Sequence, residues 1–169
     1  MATTVLLSVE EYLHTSYSPD REYRDGVLVE RNMGDLNHSL LQTKLAQYSG
    51  NRRKQWKIQA FVELRIRVRQ DWYPIPDVCL YELPAPQDKV PSRMPLLWIE
   101  ILSDDDRMID VWDKARQVVE CGSPYVWIIN PNTLESELRT ASGKSLVSNQ
   151  TLAIPDSPIV IPLLEVMEE

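Results

Sequence analysis

Cysteine is scarce in this chain. Only two occur among 169 residues, Cys79 and Cys121, and neither belongs to a CxxC pair. That argues against a zinc site or a disulfide framework and fits a reducing, cytoplasmic setting. Long apolar runs are also missing. No stretch approaches the ~20 residues that a membrane-crossing helix requires. The opening residues, MATTVLLSVEEYLHTS, have no basic leader and turn acidic at Glu10 and Glu11, unlike a secretory signal. Positive charge is in deficit too. A net charge of −7 argues against a surface that grips nucleic acid phosphates everywhere, but leaves a local basic groove open. Arg52, Arg53, Lys54 and Lys57 cluster, as do Arg65, Arg67 and Arg69. These are either solvated faces or phosphate contacts.

What remains is ordinary for one globular domain: 43% apolar and 25% charged residues, with enough chain for one sizeable core spanning residues 1–169. Ser8 followed by Glu11 is a capping-box pattern and predicts a helix from Val9 to His14. Asp25-Gly26 between short β-prone runs predicts a hairpin. Leu36, Leu40, Leu41, Leu45 and Tyr48 recur at helical spacing, predicting a helix over Leu36–Tyr48 that ends near Gly50. KIQAFVELRIRVRQ alternates. Val62, Leu64, Ile66 and Val68 point one way and Glu63, Arg65, Arg67 and Arg69 the other, as in a half-buried strand with a basic outer face.

DVCLYE and LLWIEILS read as further strands, the second covered on both faces. Asp104, Asp105 and Asp106 read as the acidic start of a helix, which carries the apolar stripe Met108, Val111, Trp112, Ala115, Val118 and Val119. Gly122 and Pro124 end it, and YVWIIN follows as a buried strand. Strand, helix and strand form a parallel β-α-β unit. Two short strands flank Ser142-Gly143-Lys144, and IVIPLLEVMEE closes the chain as a strand and a last helical turn. The whole is an α/β fold, a mixed β-sheet flanked by helices in a single domain.

Two acids fall on core strands. Asp77 opens DVCLYE, and Glu100 lies within LLWIEILS on the face shared by Trp98 and Leu102. A buried carboxylate is costly unless paired, protonated or bound to a cation. On adjacent strands the two would offer the hard oxygens that Mg²⁺ takes. Each also has a plainer reading: Glu100 as a core acid paired with Lys114 or Arg116, Asp77 as a turn residue after Pro76, and Lys114 as an exposed i,i+4 partner of Asp110. Lys114 borders the apolar stripe, so its stem can lie on apolar surface while its ammonium reaches along the sheet. Trp72, in the turn DWYPIP, reads as a contact for a base or a partner.

IPDVCLYE followed by WIEILS resembles the PD-(D/E)XK nuclease superfamily. More closely, the chain resembles the Uma-two family, a large bacterial group of restriction-endonuclease-like proteins. The resemblance includes the hairpin YRDGVLVE, His38, Pro76-Asp77-Val78, Glu100-Ile101-Leu102-Ser103, then Asp110 and Lys114, and ends in GSPYVWIINP. It implies a restriction-endonuclease-like fold and a Mg²⁺- or Mn²⁺-dependent endonuclease acting on DNA, often as a homodimer. Asp77 and Glu100 would be metal ligands. Leu102 stands where the superfamily usually has lysine, and Lys114 on the following helix is the matching residue. His38 would support the site, and Glu63 would complete the metal shell if its strand pairs with that of Asp77. Arg52, Arg53, Lys54, Arg65 and Arg67 would contact phosphates. The alternative is a non-catalytic module on the same scaffold that binds nucleic acid or protein.

Overall fold

A computed structural model describes residues 6–169. Helix α1 (Val9–His14) begins where Ser8 accepts the Glu11 amide N–H at 3.1 Å. Strands β1 (Arg21–Arg24) and β2 (Val27–Glu30) form the expected hairpin. Asp25 and Gly26 both have positive φ, 51° and 84°, the backbone a tight two-residue hairpin turn demands. A short strand β4 (Trp72–Tyr73) pairs with the other side of β1.

The main sheet has six strands in the order β3, β5, β6, β7, β8, β9. These are β3 (Ile58–Val62), β5 (Val78–Glu82), β6 (Leu97–Ile101), β7 (Tyr125–Ile129), β8 (Ser136–Thr140) and β9 (Gly143–Leu146). Only β6 and β7 run parallel, joined through helix α4 (Met108–Glu120); the other pairs are antiparallel. Strands β10 (Thr151–Ala153) and β11 (Val160–Pro162) form a separate ribbon before helix α5 (Leu163–Glu168). The sheet is therefore mixed, as expected.

Residue alternation divides the core into two layers. Leu97, Ile99 and Ile101 pack with Leu41 and Leu45 of helix α2 (Leu36–Asn51) and with Leu163 and Val166 of α5. Trp98 packs on the opposite face with Ala115 and Val118 of α4. A strand covered on both faces must be apolar at nearly every position, which is why LLWIEILS carries a single acid.

Three boundaries and the placement of one tryptophan differ from the sequence reading. Helix α2 runs through Gly50 to Asn51 and is followed by α3 (Arg53–Trp56); the reversal comes at Lys57, with φ 54°. Strand β3 stops at Val62, because Glu63 adopts φ 49°, and Val62 is itself 50% exposed. The alternation through residue 69 is thus not one continuous strand. Helix α4 starts at Met108 with Arg107 as its N-cap, so the acids at 104–106 lie in the preceding loop. Asp106 accepts the Ser103 amide N–H there at 2.7 Å. Finally, Trp72 is 1% exposed, between the guanidinium groups of Arg24 and Arg69, at 4.9 and 4.8 Å from its ring. It is a core residue rather than a surface contact. Trp112 is the tryptophan at the surface, 39% exposed, donating to Glu137 at 2.7 Å.

Candidate active site

Strand register brings the two acids together. Val78 lies opposite Ile99 in the β5–β6 pair, and continuing that antiparallel register by one residue sets Asp77 opposite Glu100. The Asp77 amide N–H still bonds the Ile99 carbonyl, at 3.2 Å. Side chains directly opposite share a face and lie close together, so both carboxylates reach one pocket of about 290 Å³.

Asp77 is held from several elements. Its Oδ2 accepts the Ile101 amide N–H at 2.7 Å. Its Oδ1 faces Arg31 Nη2 at 3.2 Å and His38 Nε2 at 3.5 Å. Its backbone carbonyl accepts the Gln42 side-chain amide at 3.0 Å. A carboxylate bonded across strands is not a local turn residue, and the Asx-turn reading of Asp77 falls. His38 sits in the first turn of α2, where Asp35 accepts its backbone N–H at 2.9 Å. Contact with Asp77 raises the His38 pKa against the opposing effect of burial.

Glu100 Oε1 accepts from Trp98 Nε1 at 2.7 Å and faces the Lys114 ammonium at 2.7 Å. Lys114 also donates to Glu22 Oε1 at 2.9 Å, and that same oxygen accepts the Ile75 amide N–H at 3.0 Å. The Glu100 carboxyl is raised to about 7: burial is the largest cause, Lys114 opposes it, and the charges of Asp77 and Glu22 add to the rise. Burial lowers the Lys114 pKa, but Glu100 and Glu22 outweigh it and raise the ammonium above its ordinary range.

Lys114 is therefore not the surface partner of Asp110, which pairs with Arg107 at 3.6 Å instead. Nor does Arg116 reach Glu100, since it is engaged by Asp113 and Glu120. Glu63 stands at the rim. Its backbone N–H bonds the Asp77 carbonyl at 3.2 Å, and its half-exposed side chain lies 3.6 Å from Arg31. Glu30 pairs with Arg21 at 3.0 Å.

Glu22 and Arg31, which pair with Lys114 and Asp77 in the pocket, stand outside the expected set. The hairpin register places Glu22 opposite Val29, and the two-residue turn at Asp25-Gly26 specifies that register from sequence. Nothing local says that this face of the hairpin turns toward the sheet. Arg31 lies past the end of β2, in a connection with no motif.

The expected phosphate contacts are dispersed. Arg52 is bound by Glu165 at 3.3 Å and Glu169 at 2.8 Å, and its guanidinium lies 3.4 Å from the Tyr48 ring centroid. Arg53 donates to Gln59 at 2.7 Å. Arg52, Arg53 and Lys54 precede Ile58, which pairs with Glu82, whereas Val62 pairs with Val78 beside the pocket. Ile58 is about 13 Å from Val62 along β3, so the cluster precedes the end of the strand away from the pocket. Arg65 is paired with Asp20 at 2.9 Å, and Arg67 is exposed.

Glu22, Asp77 and Glu100 carry the hard carboxylate oxygens that a divalent cation takes, and Glu100, raised first by burial and then by the charges of Asp77 and Glu22, would be stabilised in its charged form by added positive charge. Asp77 and Glu100 are the pair that would hold the ion. Among the described residues, no group of three or more His, Cys, Asp or Glu side chains is gathered closely enough to hold a metal as it stands.

No curated protein matches the chain. Among solved structures, a protein from Anabaena variabilis described as a putative nuclease belonging to DUF820 superposes with a TM-score of 0.81 at 20% identity, over 96% of this chain and 98% of that one. At that identity the likeness is one of fold. The family model described as "Uma2: Putative restriction endonuclease" matches residues 9–166. That span runs from α1 to α5 and takes in every acid, the histidine and the lysine of the pocket, so the chain belongs to the Uma2 family.

Proposed function

We propose that the protein is a divalent-metal-dependent endonuclease that hydrolyses phosphodiester bonds in DNA. One observation carries the reading: Asp77 and Glu100 open into one pocket, and the Lys114 ammonium lies 2.7 Å from Glu100. Asp77 and Glu100 would hold Mg²⁺ or Mn²⁺, which would supply polarisation of a phosphoryl oxygen and activation of a water nucleophile. Lys114, tethered by Glu22, keeps a fixed positive charge beside the negative charge that develops on the phosphoryl oxygens. His38 buttresses Asp77. Lysine at position 114 serves as the cation that Leu102 does not supply, because α4 packs back over the sheet that carries Glu100. The descriptions of the family and of the Anabaena protein both name a nuclease, in agreement with this reading.

The test uses supercoiled plasmid, linear duplex and single-stranded DNA with Mg²⁺ or Mn²⁺. We expect cleavage by the wild type and a loss of about 100-fold or more in Asp77→Ala and in Lys114→Met, the scale of removing one electrostatic catalytic group. All three substrates remaining intact with both metals would sink the proposal. A two-fold homodimer suits duplex cleavage, and light scattering reports it.

The non-catalytic reading draws on the same ion pairs. Lys114 already satisfies Glu22 and Glu100, as a scaffold would need. Mn²⁺ separates the two, since a ligand that binds the native state raises the melting temperature. A metal site shows that rise and loses it in Asp77→Ala, whereas a scaffold shows none.

A further inference from the structure

Of the three Lys and Arg side chains that line the pocket, Lys114 and Arg31 reach the carboxylates of Glu22, Asp77 and Glu100, and they differ in standing. Lys114 extends from a thirteen-residue helix and is clamped between Glu100 at 2.7 Å and Glu22 at 2.9 Å. Arg31 comes from the connection between β2 and α2, which has no regular structure. Its own contacts are long, 3.2 Å to Asp77 and 3.6 Å to Glu63. The connection is tied to the opposite wall by an exposed bond from Asn32 to Asp106, at 2.7 Å.

Arg31 also takes a particular oxygen. Asp77 Oδ2 accepts the Ile101 amide N–H, so Oδ1 is the oxygen that faces the cationic groups of the pocket, with Arg31 Nη2 at 3.2 Å and His38 Nε2 farther off at 3.5 Å. Two positive charges do not share one carboxylate oxygen cheaply in a partly buried site. A guanidinium on a short tether also has the planar fork that matches a phosphate's oxygens. We infer that Arg31 is an exchangeable counter-ion of Asp77, which gives up Oδ1 to the incoming metal and turns its guanidinium to the substrate phosphate. The inference rests on the metal-dependent reading above. It assigns Arg31 two competing partners and predicts opposite effects on them.

The experiment measures Mn²⁺ affinity by calorimetry, and the affinity of a short DNA duplex in Ca²⁺ by fluorescence anisotropy. The variants are Arg31→Gln, Arg31→Lys and Arg107→Gln, each checked for native circular dichroism. Arg107 lines the same pocket but is engaged with Asp110, so it reports the general effect of removing a nearby charge. Arg31→Gln should bind Mn²⁺ about tenfold more tightly than wild type and duplex about tenfold more weakly. Arg31→Lys should recover part of the duplex affinity, and Arg107→Gln should change Mn²⁺ affinity less than about twofold. If wild type binds Mn²⁺ and Arg31→Gln binds it no better, or if Arg107→Gln tightens it equally, the exchange is wrong and the nuclease reading stands. If neither wild type nor Arg31→Gln binds Mn²⁺, the metal reading fails and the exchange fails with it.

Discussion

Glu100 illustrates how one carboxyl can be tolerated in a doubly covered strand. Its oxygen is met by an indole N–H and an ammonium, yet burial still holds its pKa near 7. A carboxyl whose folded pKa exceeds its unfolded value binds a proton more readily in the native state. Its contribution to stability is therefore complete below about 4.5 and is lost as pH rises through about 7. His38, also raised, acts in the same direction from its ordinary value near 6.5 upward. Urea unfolding between pH 4.5 and 7 should show a decline on the order of 2 to 3 kcal/mol attributable to Glu100. Glu100→Gln should remove that decline. An unchanged slope in the variant would show that burial does not govern this group. At this scale the acids and the lysine were legible, because a charge in an apolar strand or beside an apolar stripe stands out in the sequence. Glu22 was not, since an acid in a short hairpin strand resembles any solvated residue. Gly34 was not either: a Cβ there would lie 2.6 Å from His38 Nδ1, a close approach visible only in three dimensions.

Alternation misled at the scale of elements. Val62, Leu64, Ile66 and Val68 continue a strand pattern, yet β3 ends at Val62 and Glu63 turns the backbone to φ 49°. The reason is tertiary. The Glu63 N–H bonds the Asp77 carbonyl and the Ile66 N–H bonds the Pro74 carbonyl, so the chain bends to meet the Pro74–Pro76 turn rather than extending past it. Glu63→Val separates the two accounts. In a continuous strand a β-branched residue is favourable; at positive φ it costs about 1 to 2 kcal/mol. We expect the loss, read from the urea midpoint. Helix α4 was the better-read element, and its start moved only because Asp106 caps the loop turn at Ser103 instead of the helix.

Across the whole molecule, charge is distributed differently from its appearance in the sequence. Arg52, Arg53 and Lys54 look like a phosphate track, but Arg52 fastens α2 to the end of α5 through Glu165 and Glu169. Arg52→Ala should lower stability by about 1 kcal/mol, the upper range for a partly exposed pair, and leave duplex affinity within about twofold. A large loss of duplex affinity with unchanged stability would restore the cluster to the DNA surface. The composition, the hairpin turn, the crossover and the presence of an acid on each of two core strands were determined by the sequence itself. Each depends on local periodicity or on residues adjacent in the chain. Only the tertiary structure decided which side of the hairpin faces the sheet, which cation reaches which carboxylate, and where the basic residues end up. Those outcomes depend on elements far apart in sequence, Glu22 with Lys114 and Arg31 with Asp77, and register within one element carries no record of what another element brings against it.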